Sequence, residues 1–331
     1  MREIRGKWAL VTGAASGIGR AIALRLAREG AHLFLVDIDE PGLASVVEET
    51  RLYGVQVIAR RCDVAEPREV SAAVAEVLAR CGGVDILVNN AGITYYGRTD
   101  RMSAEHWDRL MRVNLLSHIQ FTRELLPTLL ERREAHVLNV CSILGLIGMP
   151  KVTAYCTAKF AMVGFSESLR NELGRQGLGV TALCPGFVST NLFTNAPLEE
   201  SAEEHKLPPQ MICTTPERVA KAAIKAIYRN RRLVTMEPFA RLMYAVKRFA
   251  PWLMDFIFHL GKRKRVKRRM AQLEQTVNDK PIKTSGWPDK FFERIHIDDP
   301  AFERPSQGII PRSNLTEGVR ESRVARPERA W

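Results

Sequence analysis

Seven short apolar runs, separated by longer stretches of helical periodicity, restrict residues 1–236 to one kind of architecture. The runs fall at residues 8–11, 31–36, 55–59, 85–88, 137–140, 180–183 and 233–236. Between the third and fourth, Val70, Val74, Val77 and Leu78 repeat at the spacing of one helix face. Buried strands that alternate with helices predict an α/β fold: a single doubly wound parallel sheet with helices on both faces. A hydrophobic content of 46% across 331 residues suffices for the core such a sheet needs. No internal repeat interrupts the alternation.

The junction between the first strand and the first helix is glycine-rich, Thr12-Gly13-Ala14-Ala15-Ser16-Gly17-Ile18-Gly19. Glycines there allow a tight turn and let backbone amides, with the helix N-terminus behind them, approach a pyrophosphate. The strand-turn-helix setting is the one this motif requires, which makes Gly13, Ser16, Gly17, Ile18 and Gly19 candidate dinucleotide contacts. Asp37 ends the second strand, 18 residues after Gly19. A carboxylate there accepts both hydroxyls of an adenosine ribose and repels a 2′-phosphate. Position 38 is Ile38, and Arg20 is the nearby cation that would serve a phosphate. NAD(H) is therefore expected in preference to NADP(H). Asp63-Val64 ends the third strand, at a position to reach the adenine. Asn89-Asn90-Ala91-Gly92 ends the fourth, where small residues admit a ligand close to the backbone.

Tyr155 and Lys159 stand four residues apart, on one face of a helix, and Ser142 lies thirteen residues upstream. A free tyrosine has a pKa of about 10, and a neighbouring cation favours its phenolate. The expectation is that Lys159 lowers the Tyr155 pKa enough for proton exchange near neutrality.

Taken together, residues 7–236 resemble the short-chain dehydrogenase/reductase family. The likeness is carried by the glycine turn, Asp63, Asn89-Asn90-Ala91-Gly92, Asn114, Ser142, Tyr155 with Lys159, and Pro185-Gly186 followed by Thr190. It implies that Tyr155 is the general acid/base and that Ser142 hydrogen-bonds the substrate oxygen. Lys159 would hold the nicotinamide ribose, and Asn114 would anchor a water leading from Lys159 to solvent. Thr190 and the backbone at Val188 would grip the carboxamide of the cofactor. It also implies a homodimer or homotetramer formed through helices that include that of Tyr155. One departure is Cys141, where the family often has a second serine. Cys156, beside the tyrosine, reads as a small packing residue rather than a redox switch.

Apolar residues surround the expected substrate position: Tyr95 after the Asn-Asn-Ala-Gly turn, Leu144 after Ser142, and Leu192 and Phe193 at the start of a lid. They point to a hydrophobic substrate, lipid-derived or steroid-like, with Ser142 and Tyr155 at its reacting end.

Beyond the catalytic domain, assigned to residues 1–240, the composition changes. Residues 241–270 form an apolar and basic extension, and residues 271–331, with six prolines, read as an extended or partly disordered tail. From Arg241 onward, 20 Lys and Arg stand against 11 Asp and Glu, so most of the net charge of +12 lies there. Phe249, Trp252, Leu253, Phe256, Ile257 and Leu260 share one face of a continuous helix, and seven of the eight residues 262–269 are basic. This pattern suits a helix lying in a membrane interface, with nucleic-acid contact as a weaker reading. No secretory signal, membrane-spanning run or Cys-x-x-Cys pair is seen, and the seven histidines are scattered, so no metal is expected. The protein is expected in the cytoplasm, peripheral to the inner face of a membrane, and not secreted. The alternative to an oxidoreductase is a non-catalytic dinucleotide-sensing or nucleic-acid-binding protein that keeps the fold. The intact set of Asn114, Ser142, Tyr155 and Lys159 argues against it, because binding alone needs no such set.

Overall fold

The structure is a computed structural model that describes residues 1–190, 192 and 213–259. The chain divides into two compact units, Met1–Asp279 and Lys280–Trp331, and every described residue belongs to the first. Its strands are β1 (Trp8–Thr12), β2 (His32–Asp37), β3 (Val57–Arg61), β4 (Ile86–Asn89), β5 (Ala135–Val140), β6 (Leu178–Cys184) and β7 (Leu233–Thr235). Its helices are α1 (Gly17–Arg28), α2 (Glu40–Thr50), α3 (Pro67–Cys81), α4 (Ala104–Met111), α5 (Ser117–Glu131), α6 (Thr153–Leu173), α7 (Pro216–Tyr228), α8 (Pro238–Phe249) and α9 (Pro251–His259).

The strands form one parallel sheet in the order β3-β2-β1-β4-β5-β6-β7. The five inner strands are buried on both faces, which is why their sequences are mainly apolar runs rather than alternations, whereas the edge strands β3 and β7 are only partly buried. Ala9, Val11, Leu33 and Leu35 face α1, α2 and α7, whereas Leu10, Phe34 and Val36 face α3 and α5. The order reverses between β1 and β4. Loops leaving the carboxyl ends of those two strands diverge to opposite sides and open a crevice, the usual binding position in such sheets.

Capping fixes several helix starts. Asp39 accepts from the Gly42 amide (3.1 Å) at α2, Ser103 from His106 (3.2 Å) at α4, and Thr215 from Arg218 (3.4 Å) at α7. Pro216 sits in the first turn of α7, where its missing N–H costs no hydrogen bond. The seven expected strands are all present, with ends shifted by one or two residues.

The extension differs from expectation in one respect. A continuous helix through Phe249 and Leu260 does not form, because α8 stops at Ala250 (φ −141°, ψ 62°) and α9 starts at Pro251. Proline lacks the N–H needed to continue the helix and pushes the preceding residue out of the helical region. Phe249 thus ends one helix, and Trp252, Leu253 and Phe256 belong to the next. Ala240 and Met254 are buried in the same apolar cluster as Tyr155 and Leu144. The boundary expected at residue 240 therefore falls inside α8, which packs on the sheet domain. Leu260 and the basic run 262–269 lie outside the described residues, as does the tail 271–331.

Candidate active site

A cavity of about 700 Å³ occupies the crevice beyond the carboxyl ends of β1 and β4. One end of it is the glycine turn. Gly13 (φ 65°) and Gly17 (φ 51°) adopt left-handed backbone that other residues enter only with strain. Gly19 is required for a different reason: a Cβ there would lie 1.9 Å from the Gly13 carbonyl oxygen. Gly13, Ser16, Gly17 and Ile18 line the cavity, and Gly19 supports them from behind.

The turn is braced from two sides. The Asp37 carboxylate accepts from the Ala15 amide (2.9 Å) and from its neighbour Asp39 (3.1 Å). Asn90 Nδ2 donates to the carbonyls of Thr12 (2.9 Å) and Gly13 (3.1 Å). The Thr12 hydroxyl accepts from the amides of Asn90 (2.9 Å) and Ala91 (3.1 Å). Thr12 was legible in the sequence only as a strand end; its role appears once β1 and β4 are seen to be neighbours. Asp37, Asp63, Val64, Asn90, Ala91 and Gly92 all line the cavity. Asp63 is also engaged within the protein: it accepts from the Ala65 amide (3.0 Å) and from Arg109 on α4 (3.1 Å).

At the other end, α6 delivers Tyr155 and Lys159, and the loop after β5 delivers Ser142. All three line the cavity. Ser142 Oγ accepts from the Leu144 amide (3.1 Å), which starts a single 3-10 turn over Ile143–Gly145. Gly145 lets that turn seat on α6, since a Cβ there would stand 2.6 Å from the Lys159 carbonyl oxygen. Lys159 Nζ donates to the Val140 carbonyl (2.9 Å) and lies 5.6 Å from the centre of the Tyr155 ring. Asn114 is wholly buried behind the wall. Its Oδ1 accepts from the Ile93 amide (2.8 Å) and its Nδ2 donates to the Ile93 carbonyl (2.7 Å). It sits in a five-residue π-helical turn, Arg112–Leu116, a distortion frequent at functional sites.

The proton affinities correct one expectation. Burial raises the Tyr155 phenol well above its ordinary value, and the hydrogen bond with Ser142 opposes that only in part. Burial lowers the Lys159 ammonium. The lysine does not bring the phenol toward neutrality in this arrangement, because desolvation of the phenolate dominates. Cys141 occupies the expected serine position, and its thiol shares a hydrogen bond with Cys184. That bond, with burial, raises Cys184 well above the usual thiol range. Cys156 is buried, its thiol raised by burial, in keeping with a packing role.

Pro185, Gly186, Val188 and Thr190 also line the cavity, as do Tyr95, Leu144 and Leu192. Phe193 lies outside the described residues. His106 and Arg109 of α4 also face the cavity. No local motif marks them, and their place emerges only from the packing of α4.

A family model described as short chain dehydrogenase matches residues 7–201. The chain is 33% identical over 274 residues to a putative oxidoreductase, SadH, of Mycobacterium tuberculosis, covering 76% of this chain and 99% of that one. Among solved structures, a short chain dehydrogenase/reductase from Burkholderia phymatum in complex with NAD superposes with a TM-score of 0.68 at 30% identity, covering 77% of this chain and 97% of its own. A variant of actinorhodin polyketide ketoreductase with NADPH superposes with a TM-score of 0.64 at 32% identity, covering 71% and 97%.

Proposed function

The chain belongs to the short-chain dehydrogenase family, and from that premise we propose that it interconverts a secondary alcohol and a ketone with a nicotinamide cofactor, NAD(H) in preference to NADP(H). The observation that carries this is the presence of Ser142, Tyr155 and Lys159 in the wall of a cavity whose far end is the glycine turn. The residues fit a dinucleotide: two left-handed glycines expose backbone amides at the N-terminus of α1, and a carboxylate stands at the end of β2.

Gly13, Ser16, Gly17 and Ile18 would hold the pyrophosphate, Asp37 the adenosine ribose, and Asp63 and Val64 the adenine. Asn90, Ala91 and Gly92 would lie along the middle of the cofactor. Lys159 would hold the nicotinamide ribose, with Pro185, Gly186, Val188 and Thr190 against the nicotinamide. A bound nicotinamide supplies or accepts a hydride at the carbon bearing the substrate oxygen. Tyr155 Oη gives a proton to that oxygen in reduction and takes it back in oxidation. Ser142 Oγ donates a hydrogen bond to the same oxygen and stabilises charge that develops on it. Asn114 fixes Ile93 in the cavity wall and would anchor water behind Lys159.

The preference for NAD(H) is supported by Arg20. Its guanidinium is ion-paired with Glu49 (Nε to Oε1 3.2 Å) and thus engaged away from a 2′-phosphate. The two neighbouring structures, one with NAD and one with NADPH, leave this preference to be tested. Tyr95, Leu144 and Leu192 favour a hydrophobic substrate, lipid-derived or steroid-like.

We place that chemistry at a membrane surface. Phe249, Trp252 and Phe256 are 85%, 69% and 60% exposed on α8 and α9, and in sequence they run directly into the basic segment 262–269. Among the described residues no helix is long and apolar enough to cross a membrane. Assembly into a homodimer or homotetramer through α6 accords with the exposure of Phe160.

Replacing Tyr155 with Phe tests the core of the proposal. Ketone reduction should be abolished while NADH still binds, as followed by cofactor fluorescence. Unimpaired turnover in the variant would show that the proton comes from elsewhere.

A further inference from the structure

Glu237 lies between β7 and α8, outside every motif of the site. Its Oε2 accepts a hydrogen bond from the Gly186 amide at 2.7 Å. Its Oε1 is buried and has no hydrogen-bond partner among the described residues. Holding a carboxylate oxygen in that state is costly, so the acceptor has been placed against a cost rather than by default. Glycine at 186 leaves room for this approach, since a Cβ there would stand 2.7 Å from Glu237 Oε2 and displace the carboxylate.

The peptide unit that Glu237 grips has a second polar end. The Pro185 carbonyl accepts from the Ile143 amide at 2.8 Å, and Ile143 directly follows Ser142. One rigid peptide plane therefore links Glu237 to the backbone that carries the Ser142 hydroxyl. Immediately downstream, 187–189 is pinned by Thr214, whose amide donates to Phe187 (2.8 Å) and whose carbonyl accepts from Ser189 (3.0 Å). Lys247, further along α8, donates to the carbonyl of Leu146 in the Ser142 loop, with its ammonium 4.4 Å from the Phe160 ring centre.

We infer that Glu237 is a positioning residue: by orienting the peptide between Pro185 and Gly186, it sets both the nicotinamide side of the cavity and the Ser142 turn. This rests on the nicotinamide reading of the cavity. It gives α8, which the family resemblance left unexplained, a part in the site.

The test compares Glu237→Ala with Glu237→Gln, which keeps a carbonyl acceptor, in the full-length chain. The alanine variant should bind NADH about tenfold more weakly, and its KM for NADH should rise. The glutamine variant should stay within threefold of wild type. Hydrogen exchange without cofactor should show the Gly186 and Ile143 amides protected in the wild type and jointly accelerated in the alanine variant. An alanine variant that loses only thermal stability, with NADH affinity and both amides unchanged, overturns the role. So does rapid exchange of Gly186 in the wild-type chain, a measurement that needs no variant to fold. NADH failing to bind the wild type at all would overturn the nicotinamide reading and this role with it.

Discussion

Acidification should destabilise this protein well before its carboxylates protonate, and the cause is two buried histidines. His118 on α5 has its Nε2 2.9 Å from the Ala91 carbonyl, while its Nδ1 is buried without a partner among the described residues. His136 on β5 has its Nε2 2.9 Å from the Thr181 hydroxyl, and its ring is packed so closely that a Cβ at Gly179 would stand 2.3 Å from Nδ1. Burial depresses both to about 3, assisted at His118 by the charge of Lys159. In the unfolded chain both titrate near 6.5. Below that pH the unfolded state takes up protons that the folded state refuses. Stability present above pH 6.5 is therefore lost progressively as the pH falls toward 3. At pH 5 the loss is about 2 kcal/mol per histidine, about 4 kcal/mol together. The carboxylates held below their usual range by neighbouring donors, such as Glu76 and Asp100, add their own losses only at lower pH. Urea unfolding of the full chain at pH 7.5 and 5.0 measures the difference. In His136→Gln it should fall from about 4 to about 2 kcal/mol, whatever the variant's absolute stability. If wild type and variant lose the same amount, His136 is not the source and the argument fails.

Three other outcomes are expected. Asp37→Ser should lower kcat/KM for NADH roughly 10- to 100-fold, the worth of a hydrogen bond to a charged acceptor at about 1.5–3 kcal/mol, and leave NADPH less affected; equal losses with both cofactors would deny Asp37 a role in discrimination. The combined changes Phe249→Ser, Trp252→Ser and Phe256→Ser should greatly reduce co-sedimentation of the full chain with vesicles rich in anionic lipid. Undiminished co-sedimentation would exclude that face as the anchor. Because burial raises the Tyr155 phenol above its ordinary pKa, it remains protonated as pH rises through the neutral range, so kcat for ketone reduction should be level from about pH 6 to 9. A decline with an apparent pKa between 7 and 8 would contradict that.

The sheet was legible because its inner strands are buried on both faces and so write themselves as mainly apolar runs, while the ends of the edge strand β3 were placed less closely. The cavity residues were legible for a related reason: they sit at strand ends, and Gly13, Asp37, Asp63, Asn90 and Ser142 each follow a run that could be seen. What escaped notice acts across sequence distance through backbone atoms. Thr12 meets Asn90 and Ala91 only because β1 and β4 are adjacent, and Glu237 reaches Gly186 across 51 residues. The direction of the Tyr155 shift is not legible in the spacing to Lys159, which reports proximity but not desolvation, and desolvation is the larger effect for a phenol only 5% exposed. The helix break at Ala250 had a signal in Pro251, which the apolar spacing across it obscured.

The extension turns two faces in different directions. Trp252 and Phe256 share one face of α9, and Met254, two residues from each, lies on the opposite one. Ala240 and Met254 turn inward to the cluster around Tyr155, while Phe249, Trp252 and Phe256 remain in solvent. Among the described residues, none of those three aromatics belongs to a buried apolar cluster. Their exposure beside a strongly basic sequence supports the proposed attachment to a membrane surface. Helix α8 begins beside the Glu237 contact with the site wall and ends at Phe249, the first of the three exposed aromatics.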